Sequence, residues 1–587
     1  MTAARLVPSL LWPSDARLVL PGSKSEANRL LVAAALCGRT MTVHGATPSG
    51  DVQALVQGLR ILGYPARLVD ERSGRVEIAP RTHTAPSRGT IDCGNAGTAL
   101  RFLVSVAAIT PGDWTLTGDA AMQRRPIGPL VAAWRQLGVD ASDHHGCPPV
   151  HVRCTHVPAG GSVTLAADQS SQFVSSLLLV GACLRDGLDI TFAGELASAE
   201  YAHLTCRTLQ RFGVTAHVHG TGASVRHGFA VTAPVLDVAA DWSSAGLWTC
   251  LQHLTGSRVQ APELETGSGQ ADEQLAAALQ AMPATGNHRL DVGAMPDQFL
   301  NLAIVAAHRD GETRLVGGHN LRVKECDRIA VMARELQKLG VHAHELPDGL
   351  VVRGGRPLRA ATIDPENDHR VAMAFALAGL LSPGLSIATP DCVTKSYPDF
   401  WRDLDTVVRD RRCVAVVGMR GAGKSTFARS LAAETGSDWI DTDLQFEARH
   451  GPIAPFVALH GWPAFRAHEE AITAEMLKPG RILSTGGGAV ESASTRRLLR
   501  ERTLVVWLDG DAALLRERVA ASPTARPSLT GASPTEELEA MAARRRPLYA
   551  DLATVHLPAA LPTAQQIAAA LAALGAPCRW PGTAGAP

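Results

Sequence analysis

Two hydrophobic periods alternate along this chain. Apolar residues on a helical period mark Leu30–Cys37, Phe299–His308 and Phe427–Thr435 as helices, while short runs such as Leu504–Leu508 read as buried strands. One junction recurs: LRILGYPARLV from Leu59, WRQLGVDASD from Trp134, LQRFGVTAHV from Leu209 and LQKLGVHAHEL from Leu336. Each joins an apolar helix end to an alternating strand through a glycine, placed where a left-handed helix cap belongs. The first three copies start 75 residues apart and the fourth follows 127 later, with a degenerate copy, ALQAMPATG, near Ala278. The pattern predicts repeated α/β units over roughly the first 400 residues, too large for a solenoid.

The pattern then changes. Val414, Val416 and Val417 form a buried strand that runs straight into GMRGAGKST, a full match to G-x-x-x-x-G-K-[ST]. Glycines let consecutive N–H groups turn toward a phosphate chain, and the helix that follows adds its N-terminal potential. Gly421, Ala422, Gly423, Lys424, Ser425 and Thr426 are thus candidate ATP contacts, with Lys424 on the outer phosphates and the Ser425 hydroxyl on Mg²⁺.

Length bounds the count: 587 residues call for about three compact units. Charge narrows the partners. With 56 basic and 56 acidic residues the formal net charge is +0, so neither nucleic acid nor a membrane surface is expected, and anionic ligands must be met by locally gathered cations. The 11 cysteines show no metal-ligand spacing and read as reduced thiols, and no apolar run has membrane-spanning length. A cytoplasmic monomer acting on small molecules is the expectation.

In the first half, anion-binding shapes recur at helix starts. PGSKSEANR brings Lys24, Ser25 and Arg29 to one; DCGNAGTALR opens another at Gly97, with Thr98 and Arg101 in its first turns. QRRPIG carries Arg125, and DQSSQFVSS offers Ser170, Ser171 and Gln172 as neutral partners. ASAEYAH holds Ser198 and Tyr201, MPDQ places Asp297 before an apolar helix, and NLRVKECDR gathers Asn320, Lys324, Glu325 and Arg328. NDHR supplies Arg370 and VTKSYP supplies Lys395. Taken singly, most of these are turns, caps or solvated charge.

In their order and spacing they resemble 5-enolpyruvylshikimate-3-phosphate synthases, over about residues 8–405. The resemblance implies two lobes of three βαβαββ units each, lobe 1 about 23–236 and lobe 2 about 1–22 plus 237–408, in a transferase unit of residues 1–408. It implies that shikimate 3-phosphate and phosphoenolpyruvate join with loss of phosphate and without a cofactor. Lys24, Gly97, Arg125, Gln172, Arg328, Arg370 and Lys395 would hold phosphoenolpyruvate. Lys24, Ser25, Arg29, Ser170, Ser171, Gln172, Ser198, Tyr201, Asp297, Asn320 and Lys324 would hold shikimate 3-phosphate. Asp297 would accept the proton of the 5-hydroxyl, with Glu325 as its proton-handling partner and Lys24 as a further catalytic group. Cys326 and Phe102 stand where relatives more often carry Thr or Ser, and Pro.

The second half has its own set. WIDTD delivers Asp441, near Mg²⁺, and Asp443, toward a substrate hydroxyl; FRAHE sets Arg466 and Glu469 on one helical face; RILSTGGGAV feeds a glycine triplet; SPTARPSLT is a lid-like loop with Arg526; RRRPLY carries Arg545. Together with the phosphate loop these resemble shikimate kinase over residues 413–570, within a unit spanning 412–575 ahead of a disordered 576–587 tail. The implied fold is a parallel sheet with a lid. ATP would meet Gly421–Thr426 and Arg526, Mg²⁺ would meet Ser425 and Asp441, and shikimate would meet Asp443, Arg466, Gly487 and Arg545. Asp443 and Lys424 would be catalytic. Trp462 departs from the Glu usual there.

The order of halves also resembles part of the fungal arom multienzyme. The join at Asp405–Arg412 has no flexible composition, so the halves are expected to abut. Two rivals remain: a UDP-sugar enolpyruvyl transferase for the first half, and a nucleotide-sensing or inactive kinase module for the second.

Overall fold

In a computed structural model, the structure describes residues 3–71, 73–82, 86–521 and 534–574. Arg526, its loop and the 576–587 tail lie outside the described residues.

The recurring junction folds the same way four times. Gly63, Gly138, Gly213 and Gly340 all take positive φ, between 72° and 89°. In each copy the residue after the glycine donates to the carbonyl five back, as Tyr64 does to Leu59 at 2.9 Å and Val139 to Trp134 at 3.0 Å. This double-bonded cap satisfies the last carbonyls of the helix and aims the chain into an edge strand. Those strands are Ala66–Asp70, Asp140–His144, Ala216–His219 and His342–Leu346.

Each edge strand belongs to a four-stranded sheet of one design. In the sheet of Gly161–Ala166, Leu188–Ala193, Gly222–Val225 and Ala216–His219, the first two strands pair parallel and the rest antiparallel. The helix Ser171–Gly181 crosses between the parallel pair. Three such sheets lie among residues 41–237 and one among residues 288–354. The remaining second-lobe strands pair in smaller sheets. They form a three-stranded sheet of Arg5–Leu6, Leu385–Ile387 and Ala361–Ile363, and a two-stranded one of Asp15–Arg17 and Arg258–Gln260.

Three apolar cores follow. The first draws on residues 27–236 and the second on residues 7–407. The third surrounds a five-stranded, all-parallel sheet in the order Asp438–Asp441, Arg481–Ser484, Cys413–Val417, Thr503–Asp509, Val555–Pro558. Its central strand is buried at every residue, as a parallel sheet covered on both faces requires.

The two halves abut. The helix Phe400–Arg409 is followed by strand Cys413–Val417 after residues 410–412 alone. Trp12, expected in the second lobe, is instead buried in the third core. Its indole Nε1 donates to Arg412 O at 3.0 Å, and the Arg411 guanidinium lies 4.5 Å from its ring centre. An apolar residue next to prolines gives no local sign of which core it will enter.

Candidate active sites

The first site lies in a narrow cleft between the first two cores. Helix starts build its first wall. Ser23 caps helix Lys24–Leu36, which presents Lys24 and Ser25 to the cleft; Lys24 Nζ sits 3.1 Å from Asp51 Oδ2. Arg29 is one turn further in and fully buried. It donates to Thr205 Oγ1 (2.8 Å), Ser25 O (2.7 Å), Ser175 Oγ (3.0 Å) and Tyr201 O (2.9 Å), and burial pushes it down to about 10. Most of its fork therefore braces the wall, although it lines the cleft. Gly97 starts helix Gly97–Ala108, and a Cβ there would come within 2.7 Å of Arg125 Nη1, so only glycine lets that arginine lie across the helix start. Arg125 also donates to Asn95 Oδ1 at 2.6 Å, while its Nε is buried with no partner among the described residues. Ser170 caps Ser171–Gly181, and Gln172 is pinned between Arg101 (2.6 Å) and Thr98 (3.0 Å).

The opposite wall carries the carboxylates. Asp297, in the turn before Phe299–His308, accepts from Arg328 Nη1 at 2.9 Å and Tyr201 OH at 3.3 Å, and Arg370 Nη2 is 3.1 Å away. Arg328 reaches three acids at once: Asp297, Glu325 (3.0 Å) and Asp368 (2.8 Å). Lys395 Nζ binds Glu325 at 2.6 Å and crosses to Asn95 O at 2.9 Å. Asn320 reaches across to Ser198 Oγ at 3.2 Å. Burial alone would raise both carboxyls. Arg370, Lys324, Arg328 and Lys24 outweigh it at Asp297; Lys395, Arg328 and Arg125 do so at Glu325. Both acids are held well below the ordinary range. Burial lowers Lys324, and burial with Asp297 nearby raises Tyr201.

The cleft thus gathers every first-half residue singled out above, Lys395 through its bonds to Glu325 and Asn95. It also holds Asp51, Gln169 and His369, which sequence reasoning did not assign. Asp51 had a signal, since Ser49-Gly50-Asp51 reads as a helix start. His369 is buried, lacks a hydrogen-bond partner at either ring nitrogen among the described residues, and is kept neutral by burial and then Lys24. The departures are accommodated: the Cys326 thiol points at Asp368 Oδ2 (3.7 Å), and Phe102 lies 5.5 Å beneath the Arg29 guanidinium.

The second site sits at the carboxyl end of the parallel sheet, where such sheets place ligands. Gly418, Gly421 and Gly423 all take positive φ, which shapes the loop ahead of helix Lys424–Thr435. Lys424 Nζ donates back to Met419 O at 3.2 Å. Ser425 Oγ donates to Asp441 Oδ2 at 2.5 Å, so two hard oxygen donors face each other beside the phosphate loop, a pairing that fits Mg²⁺ bound with substrate phosphates. Asp441 also caps Thr442–His450, which sets Asp443 in its first turn.

The glycine triplet passes between two arginines. A Cβ on Gly488 would strike the Arg466 guanidinium, and one on Gly487 would lie 3.8 Å from Arg545 Nη1. Tyr549 OH holds Gly487 O at 2.6 Å. Arg466 pairs with Glu469, whose carboxyl is raised by burial, while Arg545 and Arg544 pair with Glu491. Trp462 begins the helix segment after a kink at Gly461, and its ring centre lies 5.5 Å from the Arg466 guanidinium. Sequence reasoning missed Glu491.

A cation-lined cleft between repeat-built lobes, followed by a phosphate-loop sheet, defines a two-lobed α/β unit joined to a small phosphate-loop domain. Residues 13–404 match the family model of EPSP synthase (3-phosphoshikimate 1-carboxyvinyltransferase), and residues 420–574 match that of shikimate kinase. The chain belongs to the EPSP synthase family and carries a shikimate kinase domain behind it. It is 33% identical over 563 residues to the pentafunctional AROM polypeptide of Candida glabrata, covering 82% of this chain and 36% of that one. It is 35% identical over 399 residues to the 3-phosphoshikimate 1-carboxyvinyltransferase of Pseudomonas syringae pv. syringae, covering 66% of this chain and 94% of that one. The chain thus spans about a third of the length of the AROM relative. The EPSP synthase structure from Acinetobacter baumannii shares the fold of the first half, with a TM-score of 0.54 and 24% identity over 69% of this chain and 97% of that one. Among the described residues no helix is long and apolar enough to cross a membrane.

Proposed function

We propose that the chain catalyses two consecutive steps. The rear domain phosphorylates shikimate with ATP, and the front domain transfers enolpyruvyl from phosphoenolpyruvate to the 5-hydroxyl of shikimate 3-phosphate, releasing phosphate. Residues 1–408 and 412–575 are the proposed units, and the chain is taken to be a cytoplasmic monomer acting on small molecules.

One observation carries the front half: Arg328 ties Asp297 and Glu325 together in a cleft that also holds Lys24, Arg125, Arg370 and Lys395. In this reading the 5-hydroxyl oxygen attacks C2 of phosphoenolpyruvate, Asp297 accepts the hydroxyl proton, and Glu325 handles the proton at C3. The tetrahedral adduct then collapses with loss of phosphate. The cations that hold both acids ionised are the ones the substrate phosphates and carboxylates would claim. As those anions bind, their negative charge raises the affinity of Asp297 and Glu325 for protons, so that Asp297 can take the hydroxyl proton while Glu325, protonated, gives its proton to C3 and takes one back from C3 as phosphate leaves.

In the rear half, Ser425 and Asp441 would hold Mg²⁺, which supplies charge neutralisation at the phosphates. Lys424 would meet the outer phosphates, Asp443 would orient the 3-hydroxyl, and Arg466 and Arg545 would grip the shikimate carboxylate.

The test is direct. Purified chain given shikimate, ATP, Mg²⁺ and phosphoenolpyruvate is expected to yield the enolpyruvyl ether by mass spectrometry. Product from added shikimate 3-phosphate but no shikimate-dependent ADP release would leave only the front half of the proposal standing.

A further inference from the structure

The kinase site holds a carboxylate of its own. Glu491 ends the short helix Ala489–Glu491, immediately after the glycine triplet. Arg545 Nε lies 3.1 Å from Glu491 Oε1 and Arg545 Nη2 lies 3.3 Å from Oε2, so the Nε/Nη2 edge of that guanidinium is taken by a side-on, two-point pair. Arg466 Nη2 is 3.9 Å from Oε2, and Arg544 bonds Oε1 from outside. Exposure grades the bonded three: the Arg545 side chain is 5% exposed, Glu491 25% and Arg544 65%.

An arginine as buried as Arg545 is costly to leave without a counter-charge. Glu491 provides one. A substrate carboxylate recognised by Arg545 must share that guanidinium with Glu491 or take its place, and two carboxylates on one guanidinium repel. Arg544 offers the displaced Glu491 somewhere to go, since it already holds one of its oxygens and stands in solvent.

We propose that Glu491 is a resident carboxylate that neutralises Arg545 in the kinase site, competes with the substrate carboxylate for it, and shifts onto Arg544 when substrate enters. It therefore sets the apparent affinity for the acid substrate without taking part in phosphoryl transfer. The inference rests on the reading, proposed above, that Arg466 and Arg545 hold the shikimate carboxylate.

The experiment is steady-state, shikimate-dependent ADP release by the full chain, with transferase activity in the same preparation as the check of folding. Glu491→Gln is expected to lower the shikimate KM about threefold to tenfold, with kcat within about twofold, because a neutral amide no longer competes. Arg544→Ala, at an exposed position, is expected to raise KM about threefold, since Glu491 loses its outer anchor and stays on Arg545. In the Glu491→Gln background Arg544→Ala is expected to do nothing, because the two act through one contact. An unchanged or raised KM in Glu491→Gln, or an Arg544→Ala effect of equal size in both backgrounds, overturns the proposal. Arg545→Lys separates it from the reading beneath. If that change leaves the shikimate KM within about twofold, the carboxylate-binding reading itself falls; if it raises KM about tenfold while Glu491→Gln does nothing, only the present inference falls.

Discussion

The front cleft and the rear phosphate loop both prepare to receive anions, but they are built on opposite plans. The loop uses backbone: positive-φ glycines aim N–H groups and a helix start from one contiguous stretch, Gly418–Thr426. The cleft uses side chains from positions as distant as Lys24 and Lys395, and its cations are already interlocked with Asp297, Glu325 and Asp368. A backbone cradle carries little formal charge and needs no internal counter-ions. A side-chain cradle needs them to fold, and the proposed front mechanism uses two of those counter-ions, Asp297 and Glu325, to move protons.

The sharpest break of this contrast is Asp297→Ala. Enolpyruvyl transfer is expected to fall about 10⁴-fold while shikimate 3-phosphate still binds by calorimetry and the kinase assay is unchanged. Near-normal turnover would remove Asp297 from the chemistry. Next comes Lys424→Ala, expected to reduce shikimate-dependent ADP release about 10³-fold and to leave transfer from supplied shikimate 3-phosphate within about twofold.

Trp12→Ala tests whether the halves are separable. It removes a fully buried indole from the rear core and is expected to destabilise that core by about 3–5 kcal/mol. The readout is denaturant midpoints followed through each activity, and a loss confined to the front activity would contradict the packing. The smallest effect is on acid stability. Asp297 and Glu325 are held below their unfolded values, so their contribution is complete above the unfolded pKa of about 4 and is withdrawn as pH falls through the folded values. Glu469 is raised, which is the opposite sign. The front half is therefore expected to lose about 1–3 kcal/mol more than the rear half between pH 5 and pH 2, measured by urea unfolding at each pH.

How much of this was legible depended on distance along the chain. The glycine caps at 63, 138, 213 and 340 and the phosphate loop could be read outright, because a helix end or a loop carries its own signal within a few residues. The cleft residues could be collected only by resemblance, since nothing local to Lys395 announces Glu325 or Asn95 as its partners. In the second lobe, short strands from distant parts of the front half pair with one another, Arg5–Leu6 with Leu385–Ile387 and Asp15–Arg17 with Arg258–Gln260, and no local signal announces such pairings. Glu491 escaped notice because one acid after a glycine turn reads as solvated charge, and only the fold brings Arg466, Arg544 and Arg545 around it.

The direct run from Phe400–Arg409 into Cys413–Val417, with Trp12 folded back across it, bears on how such a gene could be divided. There is no slack to cut. Scission at the join would leave the downstream fragment with an indole-shaped vacancy in its core, and the upstream fragment with a bare aromatic ring. Independent life for either piece would require a compensating substitution at that seam.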